Sequence, residues 1–507
     1  MSANHRKAEP WVLAASILGS SMAFVDGSVV NLALPALQAT LGATVTDVQW
    51  VVEGYSLFLS TLLLMGGALG DRLGRRLVFV LGTALFAIAS LACGVAPSVN
   101  FLIGARAVQG VGAAMLVPGS LALISATFPE DRRGRAIGTW SAWSAAAAGI
   151  GPVAGGWLIE AASWRWVFLI NLPLAAVTIA ISLARVPESR TPGERDPLDW
   201  TGAALVTAGL GALVYGLIGA THLRPDWTSV AVAIGASVLL LIGFVWREKT
   251  AASPMLPLSI FRSRDFSAAN ALTLFLYSAM GGGMFFLPFV MIQVHHYSAA
   301  ATGASFLPFI VLMFVLSPWS GGLVSRYGAR PMLVIGPLVA AAGYALMAVP
   351  GTSGPYWTTF FPGIVVLGIG MGIAVAPLTT TVMGAVSSKH SGLASGINNA
   401  VSRTAGLLAV AVFGLVAASR FDRALDERLD AARVPAEVRK VLDTERSKLA
   451  GAKIPKDVPE GDRRKMRGAI DGAFVETFRL VALLTAGMAA VSAIAGGMVG
   501  KDGKDGA

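Results

Sequence analysis

Three charged residues lie inside long apolar segments of the sequence, where charged side chains are rare: Asp26, Glu53 and Arg106. A charge at the centre of a membrane helix costs about 2.5–3.5 kcal/mol on insertion scales, so such a residue indicates function by default. A carboxylate in an apolar cavity holds a proton more strongly than one in water. These residues therefore predict reversible proton binding inside a membrane.

We expect Asp26 to be the principal proton carrier and Glu53 to contribute to proton handling or to cation recognition. Arg106 is expected to modulate one of the two carboxylates. A static buried ion pair between Asp26 and Arg106 is the alternative, since buried charges are usually paired. For Glu53 the alternative is solvation near the outer membrane surface.

The composition indicates a membrane protein. Of the 507 residues, 55% are hydrophobic and 13% are charged, which leaves too little polar surface for a soluble chain of this length. The net charge of +10 is dispersed in short clusters, which argues against nucleic-acid binding. With one cysteine, Cys93, and five histidines without ligand spacing, we expect no metal and no other cofactor.

Fourteen apolar runs are long enough to cross a hydrocarbon core of about 30 Å, which takes roughly 20 helical residues. The expected fold class is therefore an all-α polytopic membrane protein. The first run is too long for the apolar core of a signal peptide, so we expect it to be retained. The predicted spans are 11–34, 48–70, 77–96, 100–128, 136–159, 165–184, 199–220, 228–247, 266–292, 300–324, 331–350, 356–384, 396–419 and 473–499.

Clusters of arginine and lysine fall in alternate loops, and the positive-inside rule then places both termini in the cytoplasm. The segment 420–472 between the last two spans is polar and carries charges of both signs. We expect it on the outer face. A short helical hairpin and a solvated, partly disordered loop both fit its alternating charges.

A ten-residue turn occurs twice, as 67–76 (GALGDRLGRR) and as 321–330 (GGLVSRYGAR). The two copies are half a chain apart, which predicts two homologous helical halves with a substrate site between them at mid-membrane. The expected organisation is an amino-terminal six-helix bundle, a linker with two inserted transmembrane helices, and a carboxy-terminal six-helix bundle that includes the outer loop. The bounds of these three parts are 1–184, 185–265 and 266–507.

The turn 67–76 resembles the signature loop between helices two and three of the major facilitator superfamily. Glycine permits a tight turn after a helix end, and the charged residues can form a network that exists only when the cytoplasmic side is closed. Membrane anchoring is the alternative, but it explains only the arginines. We expect the cytoplasmic gate to comprise Gly67, Asp71, Arg72, Gly74, Arg75 and Arg76.

The stretch 147–156 (AAGIGPVAGG) resembles the GPxxGG motif of the antiporters in that superfamily. The motif residues are Gly151, Pro152, Gly155 and Gly156. Ala147, Gly151 and Gly155 lie four residues apart and provide a smooth helix surface for close packing, and Pro152 permits a bend. Simple helix packing is the alternative role. Three further stretches look like the fourteen-helix drug:proton antiporter family, which contains quaternary-ammonium and multidrug exporters. They are 24–35 (FVDGSVVNLALP), 106–112 (RAVQGVG) and 164–173 (WRWVFLINLP).

The resemblance implies a proton-coupled antiporter rather than an enzyme. It would export amphipathic or cationic small molecules, such as drugs, antibiotics and lipophilic cations, across a bacterial-type cytoplasmic membrane, with the proton gradient as energy source. We expect a monomer. Export of an endogenous metabolite or lipid is an alternative, as is proton-coupled uptake, against which the GPxxGG motif argues. An intramembrane enzyme would need a nucleophile with its base, a metal cluster or a nucleotide loop, and a non-transporting scaffold would not need the repeated gate turn.

Aromatic, thioether and amide side chains from both halves are the candidates for substrate binding. Packing and lipid contact are the alternative roles of each. The candidates are Met22, Phe24, Asn31, Trp140, Trp143, Met280, Phe285, Phe289 and Gln293. The carboxy-terminal spans before the outer loop contain no acidic residue, and we expect Asn398, Asn399 and Arg403 to line the cytoplasmic mouth.

Overall fold

The protein is described by a computed structural model, and every regular element of its described residues is a helix. A helix satisfies all of its backbone hydrogen bonds internally, which is the condition for crossing lipid. The described residues are 3–190, 198–220, 225–386, 391–435, 439, 442, 445–455 and 458–500.

The amino-terminal part is a bundle of long helices joined by short turns. Thr44 begins the second helix with a capping box, in which its hydroxyl and the Asp47 carboxylate each accept a backbone N–H. Gly74, at a φ of 122°, separates the second helix from the third. The helices are α1 Ala3–Leu41, α2 Val45–Leu73, α3 Arg75–Gly94, α4 Val99–Thr127, α5 Glu130–Ala161, α6 Trp166–Leu169 and α7 Asn171–Arg185.

Two further helices, α8 Trp200–Gly219 and α9 Trp227–Thr250, pack against each other. The α8 helix also contacts α2 and a later helix, α16 Ser391–Ala431. Asp199 caps the start of α8 and accepts a hydrogen bond of 3.0 Å from Arg247 at the end of α9. This contact fixes the two helices as an antiparallel pair.

The carboxy-terminal part contains several interrupted helices. A five-residue π turn, Val290–Val294, continues the first of them, and a 3-10 turn, Leu258–Arg262, precedes it. The remaining helices are α10 Arg264–Phe289, α11 Ala299–Ser305, α12 Leu307–Tyr327, α13 Arg330–Met347, α14 Tyr356–Thr359, α15 Phe361–Gly384 and α17 Glu460–Gly497.

Thirteen helices or helix pairs of the described chain are long and apolar enough to cross a membrane, and each coincides with one predicted span. The remaining predicted span, 136–159, falls within the 32 residues of α5. The predicted all-α polytopic fold is confirmed.

Extensions of α16 and α17 form the two ends of the segment 420–472. At about 1.5 Å per residue, the 41 residues of α16 are about 60 Å long, twice the thickness of a hydrocarbon core. Arg420 of α16 forms an ion pair with Glu476 of α17. A 3-10 turn, Arg446–Gly451, lies between these helices. The described part is therefore helical at both ends, as one of the two alternatives expects.

Candidate functional site

Asp26 and Arg106 are in contact in the interior of the amino-terminal bundle. Both side chains are buried, with at most 1% of their surface exposed. The Arg106 guanidinium donates from Nη1 to Asp26 Oδ2, and from Nε to the Val51 carbonyl oxygen at 3.0 Å. It also lies 4.2 Å from the centre of the Tyr55 ring. The structure thus places Arg106 against Asp26, in the arrangement that the ion-pair alternative expects.

Gln109 completes this cluster. It lies three residues after Arg106 on α4, so both side chains share one helix face. Its Nε2 donates to Asp26 Oδ1 at 2.9 Å and to the Ser90 hydroxyl at 2.7 Å, and Asn171 donates to the same hydroxyl at 3.3 Å. The cluster therefore ties together α1, α3, α4 and α7. Gln109 and Asn171 lie in stretches that resemble family motifs, but no role was predicted for either from the sequence.

Glu53 has the opposite environment. Its side chain is fully buried, and neither carboxylate oxygen has a hydrogen-bond partner among the described residues. One turn before it on α2, Gln49 donates to the Val410 carbonyl oxygen of α16 at 3.1 Å. One turn after it, Leu57 packs in an apolar cluster with α8 and α16. Since residues four apart share a helix face, Glu53 faces the junction of α2, α8 and α16, away from solvent.

The GPxxGG motif on α5 packs closely against helices of both bundles. On one side a Cβ atom at Gly151 would lie 3.3 Å from the Val25 carbonyl oxygen of α1. On the other side, a Cβ at Gly156 would lie 2.9 Å from the carbonyl carbon of Ala299, where α11 begins. The α11 helix also contributes a glycine to this contact, since Gly303 lies against the Pro152 carbonyl group of α5. Gly155 packs on Val29 of α1. The motif therefore lies where the two bundles meet.

The gate turn is held by a carboxylate from the segment that follows the amino-terminal bundle. Glu188, in the segment after α7, accepts hydrogen bonds from the backbone N–H groups of Arg76 at 3.0 Å and Leu77 at 3.2 Å. Its side chain also lies beside Gly74. These N–H groups form the first turn of α3, where an anion is favoured. No role was predicted for Glu188 from the sequence.

Other members of the predicted gate lie around this contact. The Arg75 backbone N–H donates to the Ser189 carbonyl oxygen at 3.0 Å. Arg72 is exposed, and Gly67 lies on α2 beside Pro118 of α4. The Asp71 side chain lies outside the described residues.

The candidate substrate-binding residues divide into two groups. Phe24 and Trp140 form an edge-to-face pair with ring centres 6.5 Å apart, and Arg403 of α16 lies 5.8 Å from the Phe24 ring centre. Asn31 and Met280 are half-buried, and Trp143 is exposed. Met22, Phe285 and Phe289, by contrast, are fully buried in the apolar core. Packing, the alternative role, describes their positions in this structure.

Gln293 lies at the end of the bundle that is predicted to face outward. Its Nε2 donates to Gln38 Oε1 of α1 at 3.0 Å, which joins the two bundles. The backbone carbonyl oxygen of Gln293 accepts a hydrogen bond from Arg467 of α17 at 2.8 Å. At the same end the Ala300 N–H donates to Glu160 at 3.3 Å. A cavity of about 680 Å³ lies here, lined in part by the basic residues Lys448 and Arg467.

The family profile described as Major Facilitator Superfamily matches residues 16–410 of the chain. The tetracenomycin C resistance and export protein of Streptomyces glaucescens is 32% identical over 435 residues, which are 85% of this chain and 80% of that protein. The multidrug resistance protein Stp of Mycobacterium tuberculosis (strain CDC 1551 / Oshkosh) is 32% identical over 499 residues, 96% of this chain and 90% of that protein.

Among solved structures, the fold is similar to a bacterial homolog of the human lysosomal transporter Spinster in its inward-facing and occupied conformation. The TM-score is 0.66 at 16% identity, over 98% of this chain and 97% of that chain. At this identity the likeness concerns the fold alone.

Proposed function

The chain belongs to the major facilitator superfamily, and we propose that it is a proton-coupled antiporter that exports amphipathic small molecules, such as antibiotics, across the bacterial cytoplasmic membrane by alternating access. It is a multi-pass membrane transporter, and relatives of known name are resistance and export proteins. Proton coupling and the direction of transport are our inference. Proton coupling rests on the two buried carboxylates, and the direction of transport rests on the names of these relatives.

The observation that carries the proposal is the contrast between Asp26 and Glu53. Asp26 is fully paired, so its charged form is stabilised by Arg106 and Gln109. Glu53 is buried without a partner among the described residues, and burying an unpaired charge costs far more than burying a neutral carboxyl group. In this conformation we therefore assign a proton to Glu53 and a negative charge to Asp26.

The positions of the two carboxylates couple this difference to movement. Glu53 faces the contact between α2 and α16, so separation of these helices would admit water and allow the proton to leave. Protonation of Asp26 would neutralise the partner of Arg106 and weaken the link between α1 and α4. We retain Asp26 as the principal proton carrier and assign Glu53 the second proton site.

The test uses everted membrane vesicles from a host that lacks its own drug pumps. Addition of tetracenomycin C or puromycin to energised vesicles should release protons, measured as recovery of the fluorescence of a pH-sensitive acridine dye. The two compounds are chosen because relatives are named for resistance to them. We expect Asp26→Asn and Glu53→Gln to reduce proton release about tenfold or more.

The matched control is Asp226→Asn, which changes an exposed carboxylate at the start of α9 and should leave proton release intact. Exchange of labelled for unlabelled substrate, which needs no net proton movement, should survive in both carboxylate variants. Undiminished proton release in both variants would show that neither carboxylate couples transport. Movement of substrate and protons across the membrane in the same direction would indicate symport instead.

A further inference from the structure

Arg403 of α16 is an arginine in a membrane-spanning helix that forms no hydrogen bond or ion pair with the described residues. Its guanidinium lies over the ring of Phe24, across the boundary between the two bundles. Residues 266–419, which include all spans of the carboxy-terminal part up to the outer loop, contain no acidic residue. Such a charge is costly in a membrane protein unless a cavity or a ligand compensates it.

The face of α1 that Arg403 meets also borders open space. Phe24, Gly27, Asn31 and Gln38 recur at the helical period and share one face. The first and last of these contact the carboxy-terminal part, through Arg403 and Gln293. A Cβ atom added at Gly27 would meet no atom within 4 Å. Open space therefore lies beside α1 between these two contacts with the carboxy-terminal part.

The α16 helix, which faces α1 here, also borders open space. Gly406 lies one turn after Arg403 on α16, and an added Cβ there would also meet no atom within 4 Å. Arg403 itself is only half-buried. A side chain that lies within a membrane-spanning helix, faces the other bundle and is yet partly accessible lines an internal space rather than a packed interface. Asn399, one turn before it, is exposed and extends the same polar face.

The charges around this space do not cancel. Arg106 is compensated by Asp26, and Glu53 is neutral under the proposed function. Tyr55 and Tyr277 lie within electrostatic range of Arg403, but their hydroxyl groups carry no charge near neutral pH. Among the described residues around this space, Arg403 thus leaves one positive charge without a compensating carboxylate. A planar guanidinium with five N–H donors is well suited to bind a carboxylate through two parallel hydrogen bonds.

We propose that Arg403 recognises the substrate, and that the substrate is an amphipathic organic anion with a carboxylate attached to a planar apolar body. The carboxylate would bind Arg403, and the apolar body would pack on Phe24 and Trp140. This inference rests on the proposed function for the existence of a transport site. It differs from the lipophilic cations expected from the sequence, and it moves Arg403 from the cytoplasmic mouth to the substrate site.

The proposal has a consequence for energetics. Export of a monoanion in exchange for one entering proton moves two positive charges inward, so a membrane potential that is negative inside assists the exchange. Export of a monovalent cation for one proton moves no net charge. In everted vesicles, where export corresponds to uptake into the lumen, an imposed potassium diffusion potential that is positive inside should therefore accelerate uptake of the anion without a pH gradient.

The test measures binding to the purified full-length protein by equilibrium dialysis with three labelled probes: 2-naphthoate, the neutral 2-naphthamide and the lipophilic cation tetraphenylphosphonium. We expect 2-naphthoate to bind about tenfold tighter than either of the others, as a charge-assisted pair requires. Arg403→Gln should remove this preference and leave 2-naphthamide binding unchanged. Arg403→Lys should retain part of it, because a point charge lacks the planar fork.

Arg262→Gln, which removes an exposed arginine from the 3-10 turn before α10, is the matched control and should bind all probes as the intact protein does. Absence of any preference for the anion overturns the proposal, as does an equal loss of all probes in Arg403→Gln with a normal unfolding temperature. If antibiotic-dependent proton release persists in that case, the proposed function stands and only the anionic substrate is wrong. If proton release also fails, the proposed function fails with it.

Discussion

Each half of the protein contains a polar cluster that joins neighbouring helices, but the two clusters differ in charge. In the amino-terminal half, Asp26, Arg106 and Gln109 join α1 to α4 through an ion pair and its hydrogen bonds. In the carboxy-terminal half, Asn398 joins α16 to α10 by donating to Asn270 at 3.1 Å and to the Thr273 hydroxyl at 2.7 Å. Amide and hydroxyl groups do not titrate near neutral pH. Of these two clusters, only the first can bind and release a proton.

This difference assigns separate tasks to the halves. Under our proposals the amino-terminal half handles protons, while the carboxy-terminal half supplies the positive charge of Arg403 to the substrate. The gate turn and its repeat differ in sequence in the same sense: Asp71 of the first copy corresponds to Ser325 in the second. The second copy therefore keeps two glycines and two arginines of the first, while the acidic residue is present in the first copy alone.

Removal of the cation from the ionic cluster is the most severe change that we predict. Arg106→Leu leaves the Asp26 carboxylate buried without its main partner, and breaking a buried pair in this way costs about 3–5 kcal/mol. The free energy of unfolding in detergent, followed by circular dichroism, should fall by that amount. The double variant Asp26→Leu/Arg106→Leu should recover much of it. Equal stability of Arg106→Leu and the intact protein would contradict the contrast between the two clusters.

The two carboxylates should respond differently when their charge is removed. Asp26→Asn loses charge-assisted hydrogen bonds and should lower the free energy of unfolding by about 2 kcal/mol. Glu53→Gln replaces a carboxyl group that we consider neutral by an amide of the same shape, so its stability should stay within about 0.5 kcal/mol of the intact protein. The comparison is made at neutral pH in the same detergent. A loss in Glu53→Gln as large as that in Asp26→Asn would mean that Glu53 is charged and paired.

The sequence was sufficient to predict the helices, because lipid demands long apolar runs and leaves few alternatives for the backbone. It was less precise where helices are interrupted: the single predicted span 165–184 is divided at Ile170 into α6 and α7, and 300–324 is divided at Phe306 into α11 and α12. Local conformation at one residue leaves no signal in hydropathy, since the interrupting residues are as apolar as their neighbours.

The sequence predicted which residues belong to the candidate site, but it did not predict which of them are in contact. Asp26 and Arg106 are 80 positions apart, so only the packing of α1 on α4 decides that they meet. Gln109 could have been found, because its spacing of three from Arg106 places both on one helix face. Phe285 and Phe289, by contrast, could not have been assigned to the core from the sequence. Apolar side chains that fill the core and those that line a cavity have the same composition, so sequence alone does not separate them.

A change in the neutral cluster, which consists of Asn398, Asn270 and Thr273, should have a smaller effect. Asn398→Leu removes the hydrogen bonds to Asn270 and Thr273, but both of these side chains keep a backbone partner, at the Phe266 and Ala269 carbonyl oxygens. We expect a loss of about 1 kcal/mol in unfolding free energy and unaltered coupling, measured as the number of protons released per substrate exported. Altered proton stoichiometry in Asn398→Leu would show that the neutral cluster takes part in proton handling.

The smallest effect concerns the gate turn. Glu188→Gln keeps the shape of the side chain that accepts from the first N–H groups of α3 but removes the negative charge that this helix end favours. Because Glu188 is partly exposed, with 26% of its side chain accessible, the loss in stability should stay below about 1 kcal/mol. It should also shrink between about 0.1 M and about 1 M salt, as the Debye length falls from about 10 Å to about 3 Å. A loss that does not depend on salt would mean that Glu188 holds the turn by its hydrogen-bond geometry, and that charge is not what distinguishes the first copy of the turn from the second.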